Sequence, residues 1–301
     1  MTKLYQRTVA KAITATGIGL HSGQKVTLTL APAEPDTGVV FERTDLGAAV
    51  PMAAELVQDT MMSSNLVLGD TRIGTVEHLL SAIAAYGLDN LIIQVDAPEI
   101  PIMDGSAAPF LYLIDQAGIV EQDKPKKFIK IISPIEVNDG DKWARLEPYD
   151  DGFLMDFEID FNHAAIAATE QTIQLDFNTA NFALEVGQAR TFGFLKDIEY
   201  LQKNNLALGG SLDNAVVLDE DSVVNQDGLR YPNEFVRHKM LDAVGDLFVI
   251  GHPLLAKFSA YKSGHALNNA LIRAVLADKS CYEIVTFYDK ELCPIDYVEA
   301  V

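Results

Sequence analysis

Four residues in two distant stretches could do chemistry. They are Glu77 and His78, in Thr75-Val76-Glu77-His78, and His238 and Asp242, in His238-Lys239-Met240-Leu241-Asp242. On a helix, positions four apart project from the same face, so His238 and Asp242 point the same way. An imidazole and a carboxylate make a ligand pair suited to a divalent metal such as zinc. His78 brings the set to three, and a zinc site with three protein ligands keeps its fourth position for water. Glu77, beside His78, is placed as a general base. If the two stretches meet in space, they make a metal-dependent hydrolase.

Each group also has a plainer reading. His238, Asp242 and Asp246 form one polar stripe opposite Val236, Met240, Val244 and Leu247, as a solvated helix face would. Glu77 suits the first turn of any helix, where the backbone dipole favours an acid by about 0.3–1 kcal/mol. His265, in Lys262-Ser263-Gly264-His265-Ala266, follows a glycine that permits an unusual backbone at a strand-to-helix turn. It can serve as a general acid kept protonated by Asp246, or simply begin a helix. Thr191, in Arg190-Thr191-Phe192-Gly193, offers a hydroxyl to a developing oxyanion, or only punctuates a turn.

These groups need elements to hold them. Residues 75–86 read as a helix with Thr75 as N-cap and Leu79, Ala82, Ile83 and Tyr86 as its apolar stripe. Further helices are expected over 107–117, 194–203, 235–250 and 266–277. Alternation or apolar runs mark strands near 25–30, 90–95, 128–137, 153–161, 171–177, 257–261 and 281–287. The segment 36–51, with Val39-Val40-Phe41 at its centre, reads as a small inserted hairpin. The charged stretch EQDKPKK, residues 121–127, is the best boundary. Two α+β domains of similar build are expected, 1–124 supplying Glu77 and His78 and 125–301 supplying His238, Asp242 and His265, with the site between them.

Composition narrows the classes. With 301 residues, 49% of them hydrophobic, a full core is possible. The 23 basic and 43 acidic side chains give a net charge of −20, which argues against a nucleic-acid partner. An anionic ligand must therefore be met by local lysines or arginines. Cys281 and Cys293 form no CxxC pattern and read as reduced thiols of a cytoplasmic protein. The N-terminal stretch lacks the apolar run of a signal peptide. The most apolar window, 241–261, carries Asp242, Asp246, His252 and Lys257, so no integral membrane segment is expected.

Eight stretches add a resemblance: TGIGLHSGQKV (16–26), TVEHLLSAI (75–83), APEIPIMDGSAAPF (97–110), GDKWA (140–144), ARTFGF (189–194), DIEYLQ (197–202), FVRHKMLDAVGDL (235–247) and AYKSGHALNN (260–269). In this order, and over almost the whole chain, they resemble the UDP-3-O-acyl-N-acetylglucosamine deacetylases, zinc amidases of lipid A synthesis in Gram-negative bacteria. The resemblance implies two two-layer α+β domains with helices packed between the two sheets, each domain with a small insert (about 36–51 and 194–217). It implies one Zn2+, with Fe2+ as an alternative in the cell, held by His78, His238 and Asp242. Glu77 would be the base, His265 the acid with Asp246 as its partner, and Thr191 the group that polarises the carbonyl. Phe192, Lys239 and Lys262 would meet the substrate. Ile198, Leu201, Leu206, Gly210, Ser211 and Val217 would line an acyl passage, with Leu20 and Met61 contacting it from the first half. Departures from the family pattern fall at Ser63, Ser64 and a segment near 65–73 that reads as a variable loop. The implied reaction is removal of the 2-N-acetyl group from UDP-3-O-acyl-N-acetylglucosamine, the committed step of lipid A synthesis, by a cytoplasmic monomer.

Two alternatives remain at this stage. A small-molecule kinase on a related scaffold would need a longer glycine- and serine-rich phosphate loop than Gly17-Ile18-Gly19. A non-catalytic binder of a nucleotide-linked lipid would need neither an acid nor a base.

Overall fold

The computed structural model describes residues 3–203 and 206–300. The first half contains β1 (Tyr5–Val9), β2 (Ile13–Ile18), β3 (Lys25–Pro32), β4 (Val39–Arg43), β5 (Ala48–Pro51), β6 (Val57–Asp59), β7 (Asn65–Leu68), β8 (Thr71–Ile73), α1 (Glu77–Ala85), β9 (Leu91–Val95), α2 (Ala108–Ala117) and β10 (Ile119–Pro125). The second contains β11 (Phe128–Ile131), β12 (Ile135–Asp139), β13 (Lys142–Glu147), β14 (Phe153–Glu158), α3 (Ala164–Ala167), β15 (Thr172–Asp176), α4 (Thr179–Glu185), β16 (Phe192–Phe194), α5 (Leu195–Lys203), β17 (Val216–Leu218), α6 (Glu234–Phe248), β18 (Leu254–Tyr261), α7 (His265–Ala277) and β19 (Tyr282–Val285).

Two main sheets result, and the fold is α+β. One has five strands in the order β2-β3-β9-β4-β5. The other has seven, built around β18, which pairs with β11, β13 and β14. Strand alternation sets the buried face: Val26, Leu28 and Leu30 of β3 are fully buried while the residues between them are not. α2 packs on α1 and β2, α7 packs on β12 and β13, and α6 packs on β14, β15 and α7. α1 and α6 pack on each other, and every residue of α1 is buried.

The structure departs from the sequence reading at several places. Residues 36–51 do form a hairpin, but β4 also pairs in parallel with β9, from Val39 opposite Leu91 to Arg43 opposite Val95, which places it inside the main sheet. The segment outside that sheet is a three-stranded one, β6-β7-β8, so residues 65–73 are strands and a tight turn instead of a loop. Residues 121–127 are largely strand, because β10 pairs antiparallel with β1. Most of that stretch stays at the surface, but Lys126 is fully buried, donating from Nζ to both carboxylate oxygens of Asp89 at 2.8 Å. Thr75 is not the cap of α1. Its φ of 55° lies in the left-handed region, and the helix begins two residues later. Gly264 is ordinary extended backbone with φ −150°, and the positive φ in that turn belongs to Lys262 at 55°.

Candidate metal centre

The stripe His238-Asp242-Asp246 is buried, not solvated. It faces α1 and α7, and the crossing of α1 over α6 is close because residue 245 is glycine. A Cβ at Gly245 would lie 2.0 Å from the carbonyl oxygen of Glu77. That contact brings the two stretches together: Nε2 of His78 and Nε2 of His238 lie 3.4 and 3.2 Å from Oδ1 of Asp242. All three potential ligand atoms lie within 4.8 Å of one another. Ligand atoms about 2.0–2.1 Å from one ion at tetrahedral angles are about 3.3 Å apart, so the spacing fits a metal.

The remaining atoms of the three residues support that fit. Nδ1 of His238 is 3.0 Å from the carbonyl of Ala189, which leaves Nε2 with its lone pair toward the cluster. Nζ of Lys239 donates to Oδ2 of Asp242 at 2.6 Å. Oδ1 is buried with no hydrogen-bond partner among the described residues, a costly state unless a cation completes it. Burial, opposed by Asp242, pulls His238 down to about 3, so the imidazole is neutral and able to ligate. Burial would raise Asp242, but its contacts with His238, the Lys239 ammonium and His78 hold it well below the usual carboxylate range. Burial also acts to lower Lys239, and Asp242 outweighs it, leaving the ammonium raised.

Glu77 and His265 flank the cluster. Burial pushes the Glu77 carboxyl up, against the charges of His265 and His78. Oε2 of Glu77 accepts from the backbone N–H of Ser64 at 3.0 Å, and Oε1 lies 4.0 Å from Nε2 of His265. Burial alone would lower His265, but the charge and hydrogen bonding of Asp246, with Glu77 adding to them, carry it up to about 9. Nδ1 of His265 is 3.1 and 2.9 Å from the two carboxylate oxygens of Asp246, which turns Nε2 toward Glu77.

The other sequence-derived residues divide into two groups. Phe192 joins the cluster, its ring centroid 6.3 Å from that of His238. Thr191 is held beside it by backbone bonds, its N–H donating to Gly105 and its carbonyl accepting from Val216, both at 2.8 Å. Leu20 meets the segment around Gly210, whose neighbour Gly209 donates to the Leu20 carbonyl at 3.0 Å. Ile198 and Leu201 lie on α5, and the Leu206 N–H donates to the Leu201 carbonyl at 2.8 Å. Ser211 donates from its N–H to Asn214 and Val217 to Asn225, so both serve the loop between α5 and α6. Asn204 and Asn205, within the expected 194–217 passage, lie outside the described residues. Met61 stands apart at 67% exposure. Lys262 is distant in partners, its Nζ held by Asp141 at 2.8 Å and Asp160 at 3.2 Å.

Sequence reasoning missed the groups that hold this machinery. Ser64 donates from its hydroxyl to Oδ1 of Asp246 at 2.6 Å, and Asn268 donates to Oδ2 at 2.9 Å. Asn268 follows His265 by three positions, a helical spacing that could have flagged it. Fully buried Glu234 accepts from the N–H and Nε of Arg190, both at 2.9 Å, anchoring the strand end that carries Ala189 and Thr191. Glu99 accepts from Ser22 at 2.7 and 2.6 Å and fixes the Gly17–Gly23 turn.

The family model described as UDP-3-O-acyl N-acetylglycosamine deacetylase matches residues 6–277. A UDP-3-O-acyl-N-acetylglucosamine deacetylase of Psychrobacter cryohalolentis is 60% identical over 299 residues, covering 99% of this chain and 93% of its own. That of Acinetobacter baumannii is 57% identical over 295 residues, with 97% and 98% covered. That of Vibrio parahaemolyticus is 55% identical over 297 residues, with 98% and 97% covered.

Proposed function

The chain belongs to the UDP-3-O-acyl N-acetylglycosamine deacetylase family, and from that premise we propose that it hydrolyses the 2-acetamido group of UDP-3-O-acyl-N-acetylglucosamine to the free amine and acetate. The observation that carries this reading is the buried His78/His238/Asp242 cluster with Glu77 on one side and His265–Asp246 on the other. A non-catalytic carrier would need neither the base nor the acid. In its place in metabolism we read the reaction as the committed step of lipid A synthesis.

His78 and His238 through Nε2, and Asp242 through Oδ1, would hold the metal, which we take to be Zn2+, with Fe2+ able to use the same donors. When bound, such an ion supplies Lewis acidity and lowers the pKa of its water toward about 7. Glu77 takes the proton of the water that attacks the acetyl carbon. The Thr191 hydroxyl donates to the oxyanion that forms. His265 gives its Nε2 proton to the departing amine as the carbon–nitrogen bond breaks, and Asp246 holds the imidazolium in place. Acetate and the amine leave.

Substrate positioning follows from the surrounding residues. Phe192 packs against the cluster, Lys239 would contact the substrate beside Asp242, and Lys262 would meet the nucleotide end by exchanging its partners Asp141 and Asp160 for it. The acyl chain would run past Ile198, Leu201, Leu206, Gly210, Ser211 and Val217, with Leu20 and Met61 opposite. Exposed Leu195, Leu208 and Leu212 in this region support an apolar passage there. We read the first sheet with α1 as one domain, to about residue 124, and the second sheet with α6 and α7 as the other. No helix among the described residues is long and apolar enough to cross a membrane. Cys281 and Cys293 are free thiols, which supports a reducing compartment, and we place the enzyme in the cytoplasm as a monomer.

The test is metal analysis of the purified protein together with acetate release before and after chelation. About one equivalent of metal per chain is expected, with turnover lost on chelation and restored by zinc or iron. Glu77→Ala should retain the metal and lose turnover. Undiminished turnover by metal-free protein would overturn the reading, and near-normal turnover by Glu77→Ala would overturn the assignment of the base.

A further inference from the structure

Ser64 touches both halves of the acid–base apparatus. It is buried in the turn between β6 and β7, at 2% exposure. Its N–H donates to Oε2 of Glu77 at 3.0 Å, and its hydroxyl donates to Oδ1 of Asp246 at 2.6 Å. Its carbonyl accepts from the N–H of Val76 at 3.2 Å. Among the described residues no other hydrogen-bonds to both Glu77 and Asp246.

The turn that presents Ser64 is itself fixed. Met62 has φ 71°, a left-handed conformation that few side chains adopt without support. That support comes from Asn65, whose Nδ2 donates to the carbonyls of Asp59 at 2.8 Å and Ser63 at 3.0 Å. Oδ1 of Asn65 accepts from Arg72 at 3.0 Å. A serine hydroxyl in so rigid a turn has little freedom to face elsewhere.

We propose that Ser64 is a positioning residue, one that sets the base Glu77 and the acid's partner Asp246 at a fixed separation across α1 and α6. The proposal rests on the functional reading above. Asp246 has two oxygens and three donors: Ser64 takes Oδ1, Asn268 takes Oδ2, and His265 spans both. Without the Ser64 hydroxyl the carboxylate can rotate about its last bond, and the imidazole it holds rotates with it. Nε2 of His265 then leaves the line toward Glu77, and proton delivery to the amine slows while the substrate still binds.

The test compares Ser64→Ala and Ser64→Thr with the wild type in kcat, KM, metal content and Tm. Supporting residues around metal sites typically change activity 10–100-fold. Ser64→Ala should therefore lose about 10–100-fold in kcat, with KM and metal content unchanged, and Ser64→Thr, which keeps the hydroxyl on the same carbon, should recover to within about threefold. A kcat within about twofold of wild type for Ser64→Ala overturns the proposal. So does an equal loss in Ala and Thr variants accompanied by lower Tm and metal content, which marks a purely structural role. Acetate release by the wild type in the same assay tests the functional reading separately.

Discussion

Gly245→Ala should disable the metal centre without touching a ligand. A methyl group there would sit 2.0 Å from the Glu77 carbonyl oxygen, 2.7 Å from its carbon and 2.9 Å from Cα, all of them backbone atoms of a helix that cannot swing aside like a side chain. A relaxed contact needs about 3.5 Å, so α1 and α6 must separate locally by about 1–1.5 Å. The spacing between His238 and Asp242 lies within one helix and is unaffected. The His78–Asp242 spacing crosses the two helices and opens from its present 3.4 Å. His78 then drops out of ligating range. Misplacement of about 1 Å in a reacting constellation costs on the order of 10²-fold in rate. The overpacking itself costs about 1–3 kcal/mol of stability. The assay is metal affinity by chelator competition, kcat/KM for acetate release, and thermal unfolding, all on soluble protein. Weakened metal binding with at least about 10²-fold lower kcat/KM is expected. Wild-type metal affinity and turnover in a folded Gly245→Ala protein would refute the claim that this glycine sets the helix spacing at the site.

Two further outcomes follow from buried carboxylates. Asp246→Asn removes the charge that carries His265 up to about 9, so the imidazolium loses its proton at lower pH; the alkaline limb of the kcat/KM profile should move to lower pH, and an unmoved limb would dissociate His265 from the acid role. Glu234→Gln leaves the buried Arg190 guanidinium uncompensated and should cost about 3–5 kcal/mol in urea unfolding, whereas a loss below about 1 kcal/mol would show that Glu234 does not anchor the Ala189–Thr191 segment.

Local pattern carried much of the site and less of its setting. His238 and Asp242 were legible because helical spacing alone aligns them, and α6 lies within two residues of the expected 235–250. Their burial was not legible, since a polar stripe reads the same whether it faces water or another helix. The partnership of β4 with β9 joins residues about 50 apart in the chain, and periodicity within residues 36–51 says nothing of it. Thr75 has the chemistry of an N-cap, yet its hydroxyl faces Oε2 of Glu99 at 3.4 Å, a tertiary contact that overrides the local preference. Ser64 read only as a departure from the family pattern, since its two partners, at positions 77 and 246, belong to different helices and no local pattern points to them.

The same limit explains why sequence alone leaves the ligand role of His238 and the acid role of His265 each beside a plainer reading. His238 and His265 are chemically identical side chains on helices, and burial acts on both in the same direction, toward the neutral form. Their partners separate them. His238 turns Nδ1 to a neutral carbonyl, and the nearby carboxylate of Asp242, shared with the Lys239 ammonium, opposes burial without outweighing it, so the ring settles near 3. His265 turns Nδ1 to Asp246, a carboxylate held by the neutral groups of Ser64 and Asn268 and bonded to no lysine or arginine among the described residues, and its ring settles near 9. A metal ligand must present a lone pair, and a general acid must carry a proton. At neutral pH the first ring has only the former and the second only the latter. The two rings thus differ in the carboxylate each meets: Asp242 is shared with the Lys239 ammonium, whereas Asp246 is bonded to no lysine or arginine among the described residues.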